Sequence, residues 1–397
     1  MNTTSFHDVA REINELRNQL SYTKRIGFFL GAGTSKSLGI SDISELTSKV
    51  RSELTSNFES TYNSIDSDLE NLGISDINIE DILNQTRLIR NITRNKEDRN
   101  YKGVSGKDAK ELDIKLCNKI YEILIEEQDS ADLNPLKRFV SWVNWLSRDF
   151  SKDIFTTNYD LLLEKALEST KIPFFDGFIG ADEPFFVPES LEKYRQESTP
   201  PTSWIKLWKL HGSLGWFWKH DDGNNSRIIR LGGRGKVLKD YEEIVIYPSR
   251  EKYESSRKQP FISYFDRLKL FLQSGEGVFI INGYSFSDDH INSIIFDGIK
   301  QNNRLHVIGF FYDDSVLEKI NEMGNTYYNF SAYGPNKAII SGVLGEWKKE
   351  NTNNLLNKVW DEDESALKLG DFKELIDFLL LTSGDEETIL SRLEENE

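Results

Sequence analysis

The sequence predicts an α/β fold: a Rossmann-like doubly wound parallel sheet with a helical insertion and a helical C-terminal region. Three observations predict it. Short apolar runs of strand type recur at 26–30, 153–156, 204–210, 277–282 and 304–310. Stretches with helical spacing of apolar residues separate most of them. Polar, glycine-containing turns follow the strands, where doubly wound sheets hold their ligands.

Taken in order, residues 6–20 repeat apolar side chains at helical spacing (Val9, Ile13, Leu16, Leu20) and make 1–24 an N-terminal helical segment. The strand at 26–30 leads through a glycine turn into a helix over 40–58. A helical insertion spans about 55–150, with helices opening at 78 and lying over 112–126 and 133–148, and a polar loop at 95–110. The strand at 153–156 is followed by a helix from near Tyr159, then a proline- and aromatic-rich connection over 171–201. Strand-like pieces come next at 204–210, 227–231 and 243–247. Helices at 259–273, 288–300 and 314–323 alternate with strands at 277–282, 304–310 and 326–330. These elements make 25–344 one domain. From 345 the composition turns to Asn, Glu, Asp and Lys, so 345–397 reads as a helical C-terminal region with a helix at 371–381 and a solvated acidic end.

The chain has 397 residues, 38% hydrophobic and 12% aromatic, enough for a substantial core. A net charge of −16 and a pI near 5.0 argue against broad electrostatic binding to nucleic acid or membrane. Basic residues gather at 227–239 and 250–258 and read as solvated loops. A single cysteine, Cys117, excludes an intramolecular disulfide and a multi-cysteine zinc cluster. The start lacks a signal-peptide pattern, and no apolar run approaches the roughly 18 residues of a membrane span, so the expected location is cytoplasmic.

Four strand-end turns hold the chemistry. In Gly31-Ala32-Gly33-Thr34-Ser35 the absent Cβ atoms let the chain turn tightly and a phosphate come close, with amides of the next helix facing it. A plain tight turn explains the same residues. In Phe155-Thr156-Thr157-Asn158-Tyr159-Asp160, Asn158 or Thr157 suits an N-cap and Asp160 a first helical turn, and the same groups could contact a ligand. Lys209-Leu210-His211-Gly212-Ser213 sets an imidazole beyond a strand among small residues, able to exchange protons near neutral pH. His7, His220, His290 and His306 lack that setting. After the strand at 277–282, Gly283 permits close approach, Ser285 can donate to a phosphate or ribose, and Ser287 suits an N-cap.

In this order the four segments resemble the sirtuin family, over roughly residues 25 to 330. Thr-Asn-Tyr-Asp at 157–160, Lys-Leu-His-Gly-Ser at 209–213 and Gly-Tyr-Ser-Phe-Ser-Asp at 283–288 look most like its bacterial sirtuin-like branch. The resemblance implies NAD as substrate. Gly31, Ala32, Gly33 and Ser35 match positions lining the pyrophosphate and ribose; Asn158 and Asp160 match the second motif; His211 matches the general base; Ser285 matches the late serine. Thr34, Asp42, Thr157, Ser213, Gly283 and Tyr284 complete the expected contact set. The departures point away from protein deacylation. The four-cysteine zinc ribbon is missing, and no metal is expected. Gly39-Ile40-Ser41-Asp42-Ile43-Ser44 lacks the arginine and the aromatic that guard the nicotinamide pocket in deacylases, and no peptide-clamping strand is evident.

The resemblance further implies an NAD glycohydrolase acting in anti-phage defence through NAD depletion. Asn158 would hold water or a ribose hydroxyl, His211 would accept a proton, and Asp160 would orient its neighbours. It also implies a partner, a HerA-type ATPase or a short Argonaute. A homo-oligomer is expected, with Trp347 and Trp360 as contact residues. The competing readings are a protein ADP-ribosyltransferase or zinc-free deacylase, a non-catalytic nucleotide-sensing or scaffold module, and a nuclease subunit.

Overall fold

The computed structural model describes residues 5–54, 56–146, 149–191, 200–220, 226–232, 243–246, 259–324 and 327–383. At its centre, seven parallel strands lie in the order Phe330–Tyr333, Leu305–Phe310, Gly277–Asn282, Ile26–Leu30, Lys152–Thr156, Ile205–Lys209 and Phe174–Phe175. The first of these strands in the sequence, Ile26–Leu30, stands mid-sheet. The chain runs outward from it in one direction through Lys152–Thr156 and returns on its other side at Gly277–Asn282. That reversal is a topological switch point, where the connections leave in opposite directions and open a crevice at the carboxyl ends of the strands.

Both faces of the sheet are covered, which is why the central strand Ile26–Leu30 is buried and without a polar side chain at every position rather than at alternate ones. Phe28, Ile154, Leu207, Ile280 and Ile308 join one core with the helices Val9–Tyr22, Asn134–Trp145, Leu162–Ser169 and Phe372–Ser383. Phe29, Phe155, Trp208, Phe279, Ile281 and Val307 point the other way, against Phe261–Gln273, Asp289–Gln301 and Ser315–Glu322. The fold is the doubly wound α/β architecture that the sequence predicts.

Several boundaries move for identifiable reasons. The helix expected over 40–58 is two, Ile43–Ser52 and Ser56–Asn71; the first starts where Asp42 and Glu45 form a capping box. The helix expected over 112–126 runs Gly106–Ser130, begun by the Ser105 side chain accepting from the Asp108 amide. The helix expected near Tyr159 begins at Leu162. The strand expected at 326–330 is Phe330–Tyr333, in register with Val307–Phe310. The N-cap expected of Ser287 is Asp288.

Two features lie beyond the sequence reading. Glu243–Ile246, Gly212–His220, Ser226–Arg230, Phe185–Phe186 and Phe178–Ile179 form a separate antiparallel sheet in that order. The chain past 345 does not stand apart: position 345 falls inside Val343–Lys348, which extends the main sheet antiparallel to Lys337–Ile340 and pairs with the N-terminal strand Phe6–Asp8. Helix Phe372–Ser383 packs on Asn134–Trp145, with the Phe139 and Phe372 rings 5.6 Å apart. Trp347 stacks on Tyr333 at 5.8 Å and donates to the Gly334 carbonyl, and Trp360 is buried, so both serve internal packing in this chain. The basic segment 250–258, most of 227–239, Tyr247 and the acidic end from 384 lie outside the described residues. Among the described residues no helix is long and apolar enough to cross a membrane.

Candidate functional site

Strand register brings the predicted turns to one level. Leu30 pairs with Asn282 on one side and Thr156 on the other, and Thr156 pairs with Lys209. The residues that follow, Gly31, Gly283, Thr157 and Leu210, therefore leave the same edge of the sheet side by side. Backbone bonds tie them laterally: the Gly31 amide donates to the Asn282 carbonyl (2.9 Å), Thr157 to Leu30 (3.3 Å) and Leu210 to Thr156 (2.8 Å).

The glycine turn packs against the Gly283 turn, backbone on backbone. A Cβ on Gly31 would stand 2.4 Å from the Gly283 carbonyl oxygen, and one on Gly33 2.8 Å from the Gly283 Cα. Gly283 itself has φ +67, a conformation costly for side chains. These glycines therefore serve the packing of one turn on the other, the tight-turn reading that the sequence left open beside a phosphate site. The amides of Gly31, Gly33 and Thr34 already donate to the Asn282, Gly283 and Gly31 carbonyls, and the helix that follows is only Ala32–Lys36. Ala32 and Gly33 are nonetheless exposed on the crevice side of the sheet.

Asn158 is the hub. Its Nδ2 donates to the Gly31 carbonyl (3.0 Å), Thr34 Oγ1 (3.1 Å) and Ser35 Oγ (2.8 Å), and its own amide donates to Thr156 Oγ1 (3.0 Å). Its Oδ1 is buried with no hydrogen-bond partner among the described residues. Such an orphaned acceptor calls for a donor from a ligand or water. Asp160 accepts from Ser35 Oγ (2.6 Å) and from the Leu162 amide (3.1 Å), so it holds the glycine turn and starts the helix at once. Behind it, Lys209 donates to the Asp160 carbonyl and pairs with Glu164 at 2.9 Å. Burial pushes the Glu164 carboxyl up, against the pull of Lys209.

His211 sits where the chain leaves the parallel sheet for the antiparallel one. It is buried, with Nε2 3.2 Å from Asp288 Oδ2. Its ring lies 6.4 Å from that of Tyr159, whose carbonyl accepts from the Leu214 amide (2.9 Å). Tyr159 thus bridges Asn158 and His211 along one strip of chain. The Tyr159 hydroxyl donates to Glu80 of the helical insertion (3.0 Å), and burial and that carboxylate push its pKa well up. Neither contact was foreseen. Asp288 reads from sequence as a helix start, and only the packing of Asp289–Gln301 beside Lys209–Ser213 turns its second oxygen toward the imidazole.

The remaining expected contacts divide. Thr157 is half-buried beside Asn158, and Ser285 is exposed, 3.0 Å from Ser287 Oγ. Thr34 is buried in the Asn158 network. Tyr284 is packed between Phe29 and Phe286 at 4.8 Å from each ring, and its hydroxyl donates to Asn292 (2.8 Å), which gives it a core role. Ser213 is fully buried, its Oγ accepting from the Gly215 amide (3.2 Å). Asp42 caps Ile43–Ser52 and pairs with Lys36; those amides and that ammonium hold its carboxyl below the ordinary range. A cavity of about 650 Å³ lies at the opposite, amino-terminal end of the strands, among Arg25, Asp153, Lys206, Gly277 and Arg304.

Residues 152–329 match the SIR2-like domain. The matched segment holds Asn158, Asp160, His211 and the Gly283 turn; the Gly31 turn and the helical insertion precede it. Among solved structures, the chain is similar to a Sir2 homologue mutant bound to ADP-ribose, at 14% identity over 75% of this chain and 84% of that one, with a TM-score of 0.34. A triply substituted Sir2 homologue bound to 2'-O-acetyl ADP-ribose aligns at 13% identity over 75% and 84%, TM-score 0.36. A Sir2 homologue bound to NAD aligns at 13% identity over 99% and 98%, TM-score 0.40. No curated protein matches the chain.

Proposed function

We propose that this protein binds NAD in the crevice at the switch point and hydrolyses it to nicotinamide and ADP-ribose. The observation that supports this most is the Asn158 amide: three acceptors fix its nitrogen, and its oxygen is buried and unpartnered among the described residues. It is held beside the Gly31 turn, with the His211 imidazole on the other side of Tyr159. The SIR2-like match over these residues supports NAD as the dinucleotide.

The C–N bond to nicotinamide breaks with departure of a neutral leaving group, leaving an oxocarbenium-like ribose. Asn158 Oδ1, an acceptor, can hold a ribose hydroxyl or the attacking water. His211 takes the proton that water or the ribose hydroxyl gives up, so that NAD and water yield nicotinamide, ADP-ribose and one proton. Such a proton transfer is worth about 10²–10⁴-fold. Resemblance to the bacterial sirtuin-like branch is what supports an effector role in phage defence, with a HerA-type ATPase or short Argonaute as partner.

The test follows nicotinamide release from NAD, with the protein alone and together with the product of its neighbouring gene. Wild type is expected to release nicotinamide and free ADP-ribose, and His211→Ala to lose about 10²–10⁴-fold. Asn158→Ala is expected to lose activity and also about 1–3 kcal/mol of stability, since it removes a tie between two turns. Equal release by wild type and His211→Ala overturns the reading, and label retained on protein redirects it to ADP-ribosyl transfer.

A further inference from the structure

We infer that Asp288 is a positioning residue for His211: a carboxylate pinned by a helix start, which fixes the imidazole's tautomer and raises its basicity. The inference rests on the proposed function for its catalytic meaning, but not for its geometry. Asp288 Oδ1 accepts from the His290 and Ile291 amides (3.0 and 3.3 Å), which locks the carboxylate at the N-terminus of Asp289–Gln301. Oδ2 is left to face His211 Nε2 at 3.2 Å. Both side chains are 9% exposed, so water screens the pair little.

A carboxylate accepts and cannot donate, so the bond requires the proton on Nε2. Nδ1 then carries the lone pair and is the nitrogen that takes a proton. Once it does, the imidazolium gains an adjacent negative charge, which favours the protonated form. The other ionisable groups on the surrounding elements have engagements of their own. The Tyr159 hydroxyl is on Glu80, Lys209 is on Glu164 and the Asp160 carbonyl, Asp160 is on Ser35 and the Leu162 amide, and the His290 ring packs on Phe265. Among the described residues, Asp288 is a carboxylate in direct hydrogen-bond contact with the imidazole.

Asp288→Asn is the discriminating variant, because asparagine caps a helix about as well as aspartate while removing the charge. Asp288→Ser, another good cap, serves if the first does not fold. Two measurements are made on each. Histidine NMR titration of the ligand-free protein is expected to move the His211 pKa down by about one pH unit. The acid limb of the pH profile for nicotinamide release is expected to move down with it, as kcat falls about 10–100-fold and KM stays within about threefold. An unmoved His211 titration in a folded variant overturns the inference. If wild type releases no nicotinamide, the proposed function fails while the titration still decides the pair.

Discussion

Replacing Gly31 with alanine puts the packing of the two turns to a direct test. The added methyl carbon would stand 2.4 Å from the Gly283 carbonyl oxygen, 2.7 Å from the Tyr284 Cα and 2.8 Å from the Gly283 carbonyl carbon. All three are backbone atoms, so no side chain can swing aside. Gly31 has φ −99, which any residue adopts, and so the cost is collision alone. Relief requires the turns to separate by about 1 Å, at about 1–3 kcal/mol for overpacking. It also stretches the Gly31–Asn282 and Gly33–Gly283 backbone bonds, each worth about 0.5–1.5 kcal/mol. The sum is about 2–6 kcal/mol. Gly283→Ala adds a left-handed φ to a Cβ 2.5 Å from the Thr34 nitrogen, about 1–2 kcal/mol more. Urea denaturation followed by tryptophan fluorescence measures both, with exposed Ala32→Ser as a control within about 0.5 kcal/mol. If Gly31→Ala unfolds at the wild-type urea midpoint, the close approach of the turns is refuted.

Two further outcomes follow from the buried charges. Lys209→Met strands the buried Glu164 carboxylate and is expected to cost about 3–5 kcal/mol in urea denaturation, with Glu164→Gln added on top recovering part of it. His306, whose Nε2 lies 3.0 Å from Ser331 Oγ, has its pKa pushed down to about 4 by burial. The unfolded chain takes up this proton below about pH 6.5 and the folded chain only near 4. The neutral ring's contribution is therefore present above pH 6.5 and fades as pH falls toward 4. His306→Gln is expected to flatten wild-type stability loss across that window by about 3 kcal/mol, read from paired urea midpoints at several pH values.

Where an element is specified by its own residues, the sequence reading met the structure closely. Gly277–Asn282 coincides with its predicted span because six consecutive buried residues admit one periodicity. Helix starts shifted where a side-chain cap such as Asp42 or Ser105 overrode the apolar pattern. The antiparallel sheet through Gly212–His220 was missed because two of its strands, Phe178–Ile179 and Phe185–Phe186, have only two residues and join the others through the distant pairing of Ile229 with Phe185. Strand-end turns pointed to Asn158, Asp160 and His211, and the resemblance added Tyr284 and Ser213; the fold sets Asn158 and Asp160 in one hydrogen-bond network with Ser35 and buries Tyr284 and Ser213 among core residues.

The order of strands and turns along the chain was written in local periodicity, since each strand and helix is read from its own dozen residues; the switch point at Ile26–Leu30 was decided by strand pairing across the sheet. What faces what was not. Asp288 meets His211 across 77 positions, and Ser35 meets Asp160 across 125. Such contacts depend on the stacking of separately formed elements on a twisted sheet, where register and helix rotation choose which atom of a polar side chain bonds its neighbour and which is left for a ligand.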